Sequence, residues 1–207
     1  MANFDQIESD FLTDRLKSQM RFIAEVDKLK QILRRTILID QSRQENDAEH
    51  SWHLALMATI LKEYAKEPFN MERVLKMLIF HDLIEIYAGD TFAFDKTGNI
   101  DKEKREKAAA DKLFALLPKD QEKDFRALWE EFDKMQTRDA KYAAALDRLQ
   151  PFLHNALTDG HTWRLGKVTK QDVLARMKPT VEALPALAPF IFSTVEKHIK
   201  QGYILEN

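Results

Sequence analysis

Within Met77-Leu78-Ile79-Phe80-His81-Asp82-Leu83-Ile84-Glu85, an apolar run delivers a histidine and an aspartate side by side, with a glutamate one helical turn after the aspartate. Burying such a pair is costly unless something pairs with it. Neutral imidazole and carboxylate are both common metal ligands, so a divalent ion is the natural partner. Upstream, His50 and His53 are spaced to share one helical face, and downstream Asp147 is a lone carboxylate in the apolar stretch Tyr142 to Pro151. Gathered together, His50, His81, Asp82 and Asp147 make a mixed nitrogen and oxygen site with positions left for water. Water on such an ion is hydroxide near neutral pH, a nucleophile for phosphorus. Arg35 and Arg43 are candidates to compensate phosphate charge, and Glu85 must reach the attacking water or the leaving oxygen.

The elements that position these residues read as helices. Apolar residues recur at three- and four-residue steps over 11–34, with Ser9 or Asp10 as a possible cap. Residues 34–40 read as a connection and 41–47 as a polar loop, after which Asp47 could cap a helix over about 48–65. Asn70 caps a third helix over about 71–87, stopped by Gly89, and 88–101 reads as a loop. Further helices are expected over about 102–117, 120–132 and 137–158, the last capped by Thr137. A basic connection at 161–170, a short helix over 171–178 and a last helix over 187–199 complete the chain. On a continuous helix His81 and Asp82 would point about 100° apart, so their ion must sit near a helix end or across a groove. No hairpin signal appears. The fold class is all-α: one helical bundle of seven to nine helices over 1–207, with the core of the site at 28–160 and a helical C-terminal extension.

Composition narrows the function. The net charge of -2 gives no global pull toward a nucleic acid polymer or a membrane. The absence of cysteine rules out a disulfide framework and a thiolate metal site, and is compatible with a cytoplasmic protein. No run approaches bilayer-spanning length, and the N-terminus has no signal pattern.

Each residue also has a plainer reading. His50 could face solvent, His81 and Asp82 could be a buried pair without metal, and Asp147 could pair with Arg148 or a neighbouring lysine. His53 reads as a supporting or packing residue, and Glu85 and Asp90 could be a salt-bridge partner and a cap. Arg34 reads as a cation at a helix C-terminus, and 102–112 as a solvated face. His154, Asn155, His161 and Trp163 read as a packed helix end.

The order His50, His81-Asp82, Asp147 resembles the HD-domain metal-dependent phosphohydrolases. Arg43-Gln44-Glu45-Asn46-Asp47-Ala48-Glu49-His50-Ser51 looks like the R-x-E-N-x-x-E-H-S stretch of the HD-type 5′-deoxynucleotidases, and the segment from His81 to Asp90 looks like their HD-x-x-E-x-x-x-G-D. The resemblance implies a compact helical domain, one divalent ion (Mn, Co, Mg, Zn, Ni or Fe) on the four residues named, and a homodimer. It implies that Glu85 works beside the metal as acid, base or water-orienting group, that Asp90 assists, and that Arg35 holds the substrate. Thr36 departs from the tryptophan that those enzymes place against the nucleotide. The expected function is hydrolysis of a small phosphate monoester, a (deoxy)nucleoside 5′-monophosphate. The alternatives are a non-catalytic metal- or nucleotide-binding protein and a phosphodiesterase for a larger nucleotide.

Overall fold

A computed structural model describes residue 7 and residues 11–95 and 97–207. Ten α-helical segments and one small hairpin are seen among these residues. The first helix, α1 (Asp14–Val26), is capped by Thr13, whose hydroxyl accepts from the Leu16 N–H; Ser9 and Asp10 lie outside the described residues. A 3₁₀ turn, Asp27–Gln31, follows, so the helix expected over 11–34 ends early.

The expected connection and polar loop are instead two antiparallel strands, β1 (Leu33–Ile37) and β2 (Gln44–Asn46). Leu33 pairs with Asn46 and Ile37 with Gln44. Gln41 turns the chain at φ 61°, and Asp40 accepts from the Ser42 N–H, a tight turn without the glycine that usually announces one. The β-branched run Thr36-Ile37 favours strand over helix, and alternation along β1 buries Thr36 while Arg35 faces out.

Asn46, rather than Asp47, caps α2 (Asp47–Ile60) in a reciprocal capping box with Glu49. Asn70 caps α3 (Met71–Phe80) as expected. That helix stops at Phe80, well short of 87. Beyond it, Leu83 N–H bonds to Phe80 C=O and Glu85 N–H to Asp82 C=O, three-residue steps that end the α-helical ladder before a single turn, α4 (Glu85–Ala88). Gly89, at φ 75°, ends α4. Then come α5 (Lys102–Phe114), α6 (Lys119–Lys134) and α7 (Arg138–Leu157), the last capped by Thr137. The expected basic connection contains a short helix, α8 (His161–Gly166), and α9 runs Lys170–Ala183 through Pro179. The chain ends on α10 (Ala188–Lys200).

The centre of the fold is α7. Its run Ala143-Ala144-Ala145 is fully buried, and these small side chains let α2, α3 and α9 approach closely. Leu54, Val74, Leu78, Leu146, Met177 and Ile191 fill that core, while Phe22, Ile84, Leu113 and Phe114 form a second one under α5. The expected all-α architecture holds, with the hairpin as an addition.

Candidate metal centre and cavity

The break after Phe80 solves a geometric problem set by the sequence. At the end of the helical ladder, where the His81 N–H still bonds to the Met77 C=O, the adjacent side chains of His81 and Asp82 converge: His81 Nε2 lies 3.1 Å from Asp82 Oδ2. His50, in the first turns of α2, brings Nε2 to 3.2 Å from Asp147 Oδ1 on α7 and 3.9 Å from Asp82 Oδ2. His81 Nε2 is 3.7 Å from the same Asp147 oxygen. All four predicted ligands therefore meet, and His50 and His81 are buried.

The donor set fits a cation. His81 Nδ1 is 3.0 Å from the Leu78 carbonyl, which can only accept, so Nδ1 carries the proton. Its Nε2 then turns a lone pair toward two carboxylates and has no aligned hydrogen-bond partner, although Asp82 lies within ion-pair distance. His50 is held likewise. Its Nδ1 lies 3.0 Å from Gln150 Oε1, and the Gln150 amide is oriented by donating to Glu45 Oε1 at 2.6 Å. Two imidazole lone pairs thus face two carboxylates, and a positive charge between them is what resolves the repulsion. Without metal that charge is a second proton on His81: burial opposes it, but Asp82 and Asp147 prevail and hold the ring up at about 10. Burial, reinforced by the positive charge of Arg34, lowers His50 to about 4. Burial would raise Asp147, yet the hydrogen bonds to His50 and His81 keep its carboxyl well below the usual range.

Beside this cluster lie Asp47, Asp82 and Glu85, all buried, with carboxylate oxygens within 4.8 Å of one another. Burial first, and then the charges of Asp82 and Asp47, push the Glu85 carboxyl well above its ordinary value, and its Oε2 has no partner. Asp47 is raised to about 7 by burial and Asp82, against the pull of Arg34. Burial also raises Asp90.

Arg34 holds this acidic group together. Its Nη1 donates to Asp82 at 2.9 Å and to Asp47 at 3.1 Å, and its Nε lies 3.8 Å from Glu45, an ion-pair distance too long for a hydrogen bond. Sequence reasoning placed Arg34 at a helix end. Its signal was the alternation of a strand, which turns Arg34 and Thr36 to one face. Thr36 donates to Glu45 at 3.3 Å. Arg35, on the opposite face, stacks its guanidinium 5.1 Å from the Phe92 ring centre. Arg43 is exposed and hydrogen-bonded twice to Glu49, outside the cavity.

Behind His50, Glu45, His53 and His154 converge on Gln150. The Gln150 amide nitrogen is 3.0 Å from His154 Nε2 and 3.3 Å from His53 Nδ1. That amide fills the centre of the trio, so the network reads as a brace for the His50 tautomer. His154 therefore does more than pack a helix end.

A cavity of about 150 Å³ opens in front of the cluster. It is lined by Arg34, Arg35 and Thr36, by Asp82, Glu85 and Asp90, by Phe92 and Phe94, and by Asp147, Arg148, Trp163 and Arg176. Acids, cations and aromatic rings meet there beside a cation-demanding donor set, an arrangement suited to an anionic ester with an apolar portion.

A model of the HD domain matches residues 26–188. The chain is 28% identical to human 5′-deoxynucleotidase HDDC2 over 138 residues, 66% of each protein. It is 34% identical to a 5′-deoxynucleotidase of Yersinia pestis over 118 residues, covering 53% of this chain and 59% of that one. The chain thus spans slightly under two thirds of the length of these curated relatives. Among solved structures, a predicted metal-dependent phosphohydrolase from Magnetospirillum magnetotacticum MS-1 superposes with a TM-score of 0.86 at 48% identity, over 92% of this chain and 95% of that one. An HD-domain phosphohydrolase from Listeria innocua shares the fold, with a TM-score of 0.55 at 16% identity, over 88% of this chain and 86% of that one. With a matched span that reaches from the end of α1 to the start of α10, the chain belongs to the HD-domain family.

Proposed function

We propose that this protein is a metal-dependent phosphohydrolase that cleaves a small phosphate monoester, a (deoxy)nucleoside 5′-monophosphate. The observation that carries the reading is the pair of histidine lone pairs facing two carboxylates at the floor of a cavity that cations also line. His50, His81, Asp82 and Asp147 would hold one divalent ion. When bound, that ion would supply a polarised phosphate oxygen and a water acidic enough to be hydroxide near neutral pH.

The chain's own residues do the rest. Glu85, its carboxyl pushed well above the ordinary value by burial and by the charges of Asp82 and Asp47, would exchange a proton with the attacking water or the leaving oxygen. Asp90, on the cavity wall, assists in holding that proton. Arg35 and Phe92 form a stacked edge at the mouth, where the nucleoside portion would lie. The cavity wall carries Thr36, hydrogen-bonded to Glu45, where the resembling enzymes place a tryptophan. Arg43 contributes at a distance, through the Glu49 capping box that starts the helix bearing His50.

The chain is expected to act as a homodimer, and α10 offers a surface for it. Leu184 and Ile191 belong to the core, but Phe190 and Phe192 are 41% and 49% exposed. No helix among the described residues is long and apolar enough to cross a membrane.

The test is a panel of nucleoside 5′-monophosphates assayed for phosphate release with manganese, cobalt, nickel, magnesium, zinc or iron. Release with at least one metal, abolished by chelation and restored by that metal, is the expected result. A tight nucleotide complex without phosphate release with any of them would overturn the enzyme reading. The sedimentation mass of the same preparation reports the dimer.

A further inference from the structure

One wall of the cavity is basic, and its cations differ in what they already hold. Arg148 follows Asp147 on α7, Arg176 comes from α9 and Lys102 opens α5. All three line both the main cavity and a second recess of about 130 Å³ on the Phe132 side of His81, so the metal ligands Asp82 and Asp147 sit between the two. Arg176 Nη2 lies 3.6 Å from Asp147 Oδ2, the carboxylate oxygen not used by the histidines. Arg148 has only neutral acceptors: the Ala144 carbonyl at 2.8 Å and the Met135 sulfur at 3.0 Å. No carboxylate pairs with it among the described residues.

Two guanidiniums placed together in a partly buried wall repel each other. Such an arrangement costs stability until an anion arrives between the cations. The other arginines are committed elsewhere: Arg34 to Asp47 and Asp82, Arg43 to Glu49, and Arg35 to Phe92.

We propose that Arg148 and Arg176, with Lys102, form the phosphoryl-binding subsite of this protein and select dianionic phosphate monoesters over singly charged diesters. The proposal rests on the phosphohydrolase reading above and names the groups that would receive its phosphate. Arginine forks match phosphate oxygens in pairs, and Coulomb attraction to clustered cations grows with ligand charge. The position next to Asp147 puts that phosphate against the metal ligands.

The experiment compares the manganese-loaded protein with its Arg148→Gln and Arg148→Lys variants, and with Lys119→Gln as an exposed loss of one charge. Inorganic phosphate is the probe, titrated by calorimetry. Arg148→Gln is expected to weaken phosphate binding about tenfold, the loss of one charge-assisted contact, while the manganese spectrum stays unchanged. Arg148→Lys should recover part of the affinity, and Lys119→Gln should match the parent. The rise in Tm that phosphate induces should shrink in Arg148→Gln, even though its Tm without phosphate holds or increases as the repulsion is relieved. The ratio of p-nitrophenyl phosphate to bis(p-nitrophenyl) phosphate turnover should fall in the same variant.

Arg148→Gln that binds phosphate as tightly as the parent would overturn the subsite, whatever the parent hydrolyses. A parent that binds phosphate through Arg148 yet cleaves no ester would keep the subsite and sink the hydrolase reading.

Discussion

Glu85→Gln is expected to lower turnover by about 10²- to 10⁴-fold, the usual contribution of a positioned proton-transfer group, while leaving metal stoichiometry unchanged. The side chain opens α4, where the chain has just left the α3 ladder, and only 6% of the residue is exposed. Burial and the neighbouring carboxylates of Asp82 and Asp47 push its carboxyl well above the ordinary value. Glutamine has the same shape and the same number of polar atoms, so packing beside Asp47 and Asp82 survives. It cannot release or take up the proton. The four proposed ligands are other residues, so metal content measured on the purified variant should equal that of the parent. Phosphate release at the parent rate would remove Glu85 from the reaction.

Replacing Arg34 with methionine should have the largest effect on stability, a loss of about 3–5 kcal/mol at neutral pH in the metal-free protein, as for breaking a buried ion pair from one side. The guanidinium is the cation that Asp47 and Asp82 share. Methionine fills most of its volume and leaves those charges uncompensated. The direction of the pH dependence follows from Asp47 and Glu45, which burial raises to about 7 against the pull of Arg34. A carboxyl whose folded pKa lies above its unfolded value contributes stability that is fully present below the unfolded value and lost as pH rises through the folded one. Without Arg34 the folded values climb further. The variant's deficit should therefore be greatest near pH 7.5 and shrink as pH falls toward about 4, where these groups hold protons. Urea unfolding of parent and variant, both metal-free, at pH 4.5 and 7.5 measures this. A deficit independent of pH would show that Arg34 stabilises through packing alone.

How much of this was legible beforehand differs from element to element. The capped helices α3 and α7 were readable because Asn70 and Thr137 precede clean apolar periodicity, and local hydrogen bonding decides such starts. The four candidate ligands could be picked out because histidine and aspartate inside apolar runs need a reason to be there, and the fold brings their side chains together. The β-hairpin was not readable. Its turn uses Gln41 in a left-handed conformation and an aspartate side chain in place of an Asn-Gly pair, and its partner strand is three residues long. Arg34 and the Gln150 brace were missed with it, since both depend on which face a strand or a distant helix presents.

Residue chemistry and short-range periodicity thus determined that this is a helical protein carrying a histidine and aspartate site, because caps, amphipathic faces and costly buried charges are local properties of the chain. Only the tertiary structure decided that α3 ends where His81 and Asp82 can converge, that Arg34 joins the acidic group while Arg43 turns to Glu49, and that Arg148 and Arg176 line the cavity. The reason is physical: those outcomes depend on where α2, α7, α9 and the hairpin dock, and docking is set by close packing and charge compensation between segments far apart in sequence.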